Sequence, residues 1–175
     1  MAKVRKRVIA SGRAGLVSAM ALLLLGACAS RQPLDSNWIK RANEHLEATD
    51  GKPMHLDESN RRLSALWADK PDRVALLSQT HARNMRVISG VVPICPGDTL
   101  GVIFPVRVVV SFVVGTRGRV QDARIFESYN PLFDSSALEA IGKFKFIPAH
   151  DRDGRAESQM TTFPIVFVKS EHKSG

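Results

Sequence analysis

Cysteine is nearly absent from this chain: two among 175 residues, at positions 28 and 95. That excludes a small scaffold stapled by several disulfides. The five histidines, His45, His55, His81, His150 and His172, lie far apart and lack the short spacings of zinc sites. There is no Gly-x-Ser-x-Gly elbow and no phosphate-binding glycine loop. His150-Asp151 and Asp153 sit in a charged stretch, where solvation is the ordinary explanation. No catalytic residue, no metal ligand and no cofactor is implied, and the chain does not read as an enzyme. The nine prolines are scattered, so there is no polyproline rod. Internal repeats and low-complexity tracts are also missing. Only the N-terminal apolar segment approaches the roughly 18 residues that a membrane span requires.

That N-terminal segment is organised. Lys3, Arg5, Lys6, Arg7 and Arg13 form a basic region, Leu16 to Leu25 an apolar one, and the small Gly26 and Ala27 precede Cys28. The run Leu25-Gly26-Ala27-Cys28 resembles the lipobox of bacterial lipoproteins. The resemblance implies removal of residues 1–27 and acylation of Cys28. A single acyl chain holds a protein only marginally and several hold it stably. Ala29 follows the cysteine where an aspartate would signal retention, which by the same resemblance favours the outer membrane. The other reading is an uncleaved anchor, since Ala14 to Ser30 carry no charge.

Cleavage changes the charge. Five of the 25 basic residues lie in 1–27, leaving 20 against 17 acidic, so +8 falls to +3. The support for a nucleic-acid partner goes with the segment. The remaining 148 residues suffice for one core of ordinary size. With Cys28 acylated, Cys95 is the lone thiol. No intramolecular disulfide is then possible, and Cys95 is expected to be buried or bonded to another chain.

After a polar start containing Pro33, Trp38, Ala42 and Leu46 recur at helical spacing. Gly51 and Pro53 stop that segment. A second helix is expected over Glu58 to Asp69, with Leu63, Leu66 and Trp67 as its contacts. Asp72 would cap a third, striped by Val74, Leu77, His81, Met85 and Ile88. Glycine and proline punctuate 89–105, which reads as a loop or short extended piece.

The period then becomes two. Val106, Val108, Val110, Phe112 and Val114 alternate through a β-branched strand. Gly115, Thr116, Arg117 and Gly118 make a turn. Val120 to Glu127 form the returning strand, where a one-residue bulge would bring Val120, Ala123 and Ile125 onto one face. Pro131 to Phe146 read as a helix with Phe133, Ala137, Ile141 and Phe144 inward. Ser136 and Glu139 fit a capping box, and Asp134 is the other candidate cap. His150 to Ser158 are charged and exposed. Thr161 to Val168 are the last strand, at an edge because of Pro164.

Phe112-x-Val114-x-x-x-Gly118-x-Val120-x-Asp122 resembles the hairpin of the TonB C-terminal domain. So do Glu127-Ser128, Pro131, Asp134-x-x-Ala137-Leu138-x-Ala140, Phe144-Lys145-Phe146-x-Pro148-Ala149, Gly154 and Phe163-Pro164-Ile165-x-Phe167. The resemblance covers about residues 106–169. It implies an α+β fold, a small antiparallel sheet packed on one helix, here preceded by short helices. The chain then divides into a 1–27 signal peptide, a 28–37 lipidated flexible start, a 38–88 helical spacer, an 89–105 loop, the 106–169 domain and a 170–175 tail. It further implies that the last strand pairs with an extended segment of an outer-membrane transporter. On this chain that edge is Thr161, Thr162, Phe163, Pro164, Ile165, Val166, Phe167 and Val168.

Two departures bear on mechanism. Energy transducers of the family keep an uncleaved N-terminal helix bearing a histidine, and a proline-rich spacer. This chain has neither feature, and the Tyr-Pro pair often found before the first strand is replaced by Ile94-Cys95-Pro96. The expected function is a tethered periplasmic module of a Gram-negative envelope. It would engage a protein or peptide by edge pairing, in connection with TonB-dependent transport. A true energy transducer with an uncleaved anchor and a structural envelope lipoprotein are the two other readings.

Overall fold

Val106–Val114 forms the central strand, and nearly every residue in it is buried. A strand covered on one face would alternate between buried and exposed; this one is covered on both. The structure, a computed structural model, describes residues 25–27, 37–49, 57–78 and 85–169. It begins with β1 (Leu25–Ala27), α1 (Trp38–Thr49), α2 (Asp57–Leu66) and α3 (Pro71–Val74), which runs into a 3-10 turn at Ala75–Ser78. Next come β2 (Arg86–Ser89), β3 (Val106–Val114), β4 (Val120–Ser128), a 3-10 turn at Pro131–Phe133 and α4 (Asp134–Gly142). Four short or edge elements finish it: β5 (Lys145–Ile147), β6 (Ala149–His150), β7 (Ala156–Glu157) and β8 (Gln159–Val168). The main sheet has the order β1-β8-β3-β4, while β2 pairs with β5 and β6 with β7.

The inner face holds the larger core. Val106, Val108, Val110, Phe112 and Val114 stand beside Phe163, Ile165 and Phe167 of β8. Phe133, Ala137 and Ile141 of the α4 region and Trp38, Ala42 and Leu46 of α1 close over them. Phe144 links these layers, with ring centroids 5.5 Å from Trp38 and 6.0 Å from Phe163. Each such buried side chain contributes roughly 1.5–3 kcal/mol. The architecture is the expected α+β one, with α1 joining α4 on the sheet.

The outer face is closed by the α2–α3 segment through Trp67, which packs on Val113 and Met160. Its Nε1–H donates to Ser111 Oγ at 3.0 Å, satisfying the one buried polar side chain among the described residues. Arg124 stacks over the indole at 4.3 Å and donates to both carboxylate oxygens of Asp69, at 2.5 and 2.8 Å. Asp122 accepts from Lys70 and from Arg73, the latter at 3.0 Å.

Several local expectations are corrected. The third helix ends at Val74 and gives way to the 3-10 turn; Pro71 starts it, and Lys70 rather than Asp72 stands at the cap. Positions 79–84, with His81, lie outside the described residues. Met85 and Val87 are buried while Arg86 and Ile88 are exposed, so the period there is two and the segment is β2. Asn43 fixes it, donating to the Val87 carbonyl at 3.1 Å and accepting from its N–H at 2.7 Å.

The expected Pro131–Phe146 helix stops at Gly142. Phe144 and Phe146 both remain buried, but Phe146 does so from a strand, β5, paired with β2. No capping box forms. Asn130 Oδ1 accepts from the Leu132 N–H at 3.1 Å, Asp134 accepts from Ser128 Oγ at 2.5 Å, and Glu139 pairs with Lys143 at 2.5 Å. The β4 bulge is present. Val120, Ala123 and Ile125 all pack on the inner core, and Asp122 sits at φ 50 where the register shifts.

Candidate functional site

The candidate edge belongs to β8. Its ladder to β3 runs without a slip through nine pairs, from Val106↔Phe167 to Val114↔Gln159. In an antiparallel ladder alternate residues direct their N–H and C=O groups to the same neighbour. Pro164 fits an unbroken ladder where its missing donor faces away from β3. Thr162, Val166 and Val168 share its parity, so their amides face the outer edge. That row of donors is interrupted at Pro164.

The expected edge residues thus divide by role. Phe163, Ile165 and Phe167 are fully buried and belong to the inner core. Thr161, Thr162, Val166 and Val168 are half-buried, and Pro164 is buried on the outer face, opposite Val109. A charge at Ile165 would unfold the domain rather than test the edge; Val166 is the position that reports on pairing.

An occupant is present on part of this edge. Leu25–Ala27 lies parallel to β8, with Leu25↔Val166, Gly26↔Phe167 and Ala27↔Val168. From the sequence these three residues read as the end of a signal segment or as part of an uncleaved anchor. Nothing in Leu-Gly-Ala marks a pairing strand. Among the described residues, no strand pairs with the outer edge of β8 from Gln159 to Ile165.

The hairpin turn lies at the opposite end of the sheet, since Val114 pairs with Gln159. Gly118 donates to the Gly115 carbonyl at 2.8 Å and accepts from Phe146 N–H at 2.9 Å. Its φ is +69, and a Cβ there would stand 2.0 Å from the Phe146 oxygen. Thr116 and Arg117 are exposed. The turn docks β5 and is not brought to the Val166–Val168 edge.

The electrostatics lie away from the edge. Hydrogen bonding from Lys70, ahead of the lysine's charge and the Arg73 contacts, holds the Asp122 carboxyl below its ordinary range. The Arg124 hydrogen bond does the same for Asp69, and Asp69 raises Arg124 in turn. Burial, then the Arg107 charge, lowers His45, which meets the Phe163 ring edge-on at 5.9 Å.

Cys28 lies outside the described residues. Cys95 is half-buried and disulfide-bonded, so it is not the lone thiol expected. The chain has two cysteines, and one sulfur cannot serve a disulfide and a thioether together. A chain acylated at Cys28 can keep a Cys95 disulfide only to another molecule. Among the described residues no group of three or more His, Cys, Asp or Glu side chains could hold a metal. No helix among them is long and apolar enough to cross a membrane.

No curated protein matches the chain. The solution NMR structure of the Pseudomonas aeruginosa TonB CTD is similar at 22% identity and a TM-score of 0.41, over 51% of this chain and 90% of that one. Residues 106–168 match the family model described as Gram-negative bacterial TonB protein C-terminal. That segment, running from the first residue of β3 to the last of β8, is a domain of the TonB C-terminal family.

Proposed function

We propose that this chain is a lipid-tethered periplasmic module that captures an extended segment of another protein on the outer edge of β8. Domains of the family are periplasmic interaction modules that bind proteins such as outer-membrane transporters. The observation that carries the reading is the state of β8. Its inner side is saturated by nine pairs with β3, while its outer side already accepts a strand at Val166–Val168. Unpaired backbone groups at an edge are satisfied by β-augmentation, each hydrogen bond adding about 0.5–1.5 kcal/mol net. Val166 and Val168 supply the donors, and the strand's own side chains from Gln159 to Val168 are uncharged.

The tether is the acylated Cys28 of the lipobox, in the outer membrane, and the partner is a transporter of the TonB-dependent kind. A chain held only by acyl groups has no helix through which a protonmotive complex could pull, so its work is done by binding. The energy-transducer reading requires residues 1–27 to remain, and the structural-lipoprotein reading requires the β8 edge to be idle.

Two measurements test this. The intact mass of the membrane-extracted protein should correspond to a chain beginning at an acylated Cys28; a chain beginning at Met1 would restore the transducer reading. Val166→Pro removes one outward donor and leaves the β3 ladder whole, so the folded variant should lose partner capture from envelope extracts by about two- to tenfold. Undiminished capture would favour the structural lipoprotein.

A further inference from the structure

The strand on the β8 edge is part of this chain, and it ends one residue before the lipobox cysteine. We infer that Leu25–Ala27 closes the Val166–Val168 part of the partner edge in cis while it remains attached, and that cutting the chain before Cys28 opens it. The inference rests on the lipobox and on the edge reading above.

Three observations carry it. The pairing covers Val166 to Val168, the part of the edge that follows Pro164, with outward donors at Val166 and Val168. Its length has a physical reason: Pro164 offers no N–H, so a parallel strand extended past Leu25 would lose its next bond. The segment also suits a temporary occupant. It is short and uncharged, contains Gly26, and pairs in the slightly weaker parallel sense.

Connectivity supplies the rest. The nine residues 28–36 join β1 to the start of the next described segment, and nine residues reach about 30 Å when extended. A joined strand meets its edge at an effective concentration on the order of millimolar, enough to hold a contact too weak to persist between separate molecules. Hydrolysis of the Ala27–Cys28 peptide bond by a signal peptidase consumes one water. It leaves a carboxylate on Ala27 and a free amine on Cys28. The released segment loses the effective concentration, and its apolar run from Leu16 to Leu25 partitions into the bilayer. The edge becomes available only after the chain reaches its tethered form, which keeps an unprocessed molecule from engaging the partner.

The test compares two chains that share Cys28→Ser, which blocks acylation: residues 1–175 in detergent micelles and residues 28–175 in the same detergent. Amide hydrogen exchange is read at Val166 and Val168. Ile165 and Phe167, whose amides face β3, report that both chains are folded. The Val166 and Val168 amides are expected to exchange about tenfold or more faster in the shorter chain. A second variant of the long chain, Leu25→Pro with Gly26→Pro, should reproduce that release without shortening it. Equal exchange at Val166 and Val168 in all three chains would overturn the inference. The readout involves no partner, so its failure is distinct from failure of the edge to capture one.

Discussion

The two edges of the sheet are built differently. β8 is flat: nine pairs without a slip, and no ionisable side chain from Gln159 to Val168. β4 is broken twice, with register shifts between Val109 and Val110 and between Ser111 and Val113. Asp122 adds a positive φ, and Lys70, Arg73 and Asp69 tie β4 to the α2–α3 segment. Bulges and charge are common ways to keep a strand edge from pairing with another chain. The sheet therefore has one edge guarded permanently and one whose cover is three residues of its own chain. That difference is what the proposed pairing on β8 draws on.

The comparison can be broken most severely at Trp67. Trp67→Ala removes the centre of the outer cover and strands Ser111 without its donor, and should cost about 3–5 kcal/mol in denaturant unfolding. A loss below about 1 kcal/mol would mean that the cover contributes little to the fold. Gly118→Ala comes next, since no L side chain is at ease at φ +69 with the Phe146 oxygen 2.0 Å from its Cβ. A cost of roughly 1–3 kcal/mol is expected, with faster exchange at the Phe146 amide. An unchanged melting temperature would remove the turn from the account.

Acid separates the edges more gently. A carboxyl whose folded pKa lies below its unfolded value contributes stability that is complete above the unfolded value and lost as pH falls through the folded one. Asp122 and Asp69 are both lowered from 3.8, so their clasp on β4 weakens below that pH. Trp67 fluorescence and exchange at β4 amides should change there before the β8 amides do. Simultaneous change on both edges would contradict the asymmetry.

The smallest effect belongs to His45. Its folded pKa is lowered from 6.5 by burial, then by Arg107, so the unfolded chain takes up the proton first. Its contribution is complete above pH 6.5 and diminishes as pH falls below it. His45→Gln should flatten the stability profile in that window alone, as followed by urea midpoints.

How much was legible in the sequence depended on which neighbour set the pattern. The inner stripes were readable because one face alone decides them: Trp38, Ala42 and Leu46 at helical spacing, and Val106 to Val114 at period two. The bulge in β4 was readable because Val120 and Ile125 disagree in parity. The third helix failed because Met85 and Val87 alternate over only four residues, too few to outweigh the spacing of Val74, Leu77 and His81. β5 was missed for a similar reason, although Phe144 and Phe146 two apart, after Gly142, carry a period-two signal. The cover on the outer face was not legible at all. Trp67, Ser111 and Arg124 meet across more than forty residues of chain, and no local pattern announces a hydrogen bond of that range. The candidate edge on β8 is legible through Pro164 and the family resemblance. Its division at that proline, and its occupant Leu25–Ala27, required the register.

One measurement bears on both edges at once. A photo-crosslinking residue placed at Val168 on β8, and in a second strain at the exposed Gln121 on β4, would be activated in growing cells. Discrete protein adducts from Val168 and none from Gln121 are the expected result, with the Val168 adducts reduced when Val166→Pro is added. Adducts from Gln121 alone, or Val168 adducts indifferent to Val166→Pro, would contradict edge-strand capture on β8.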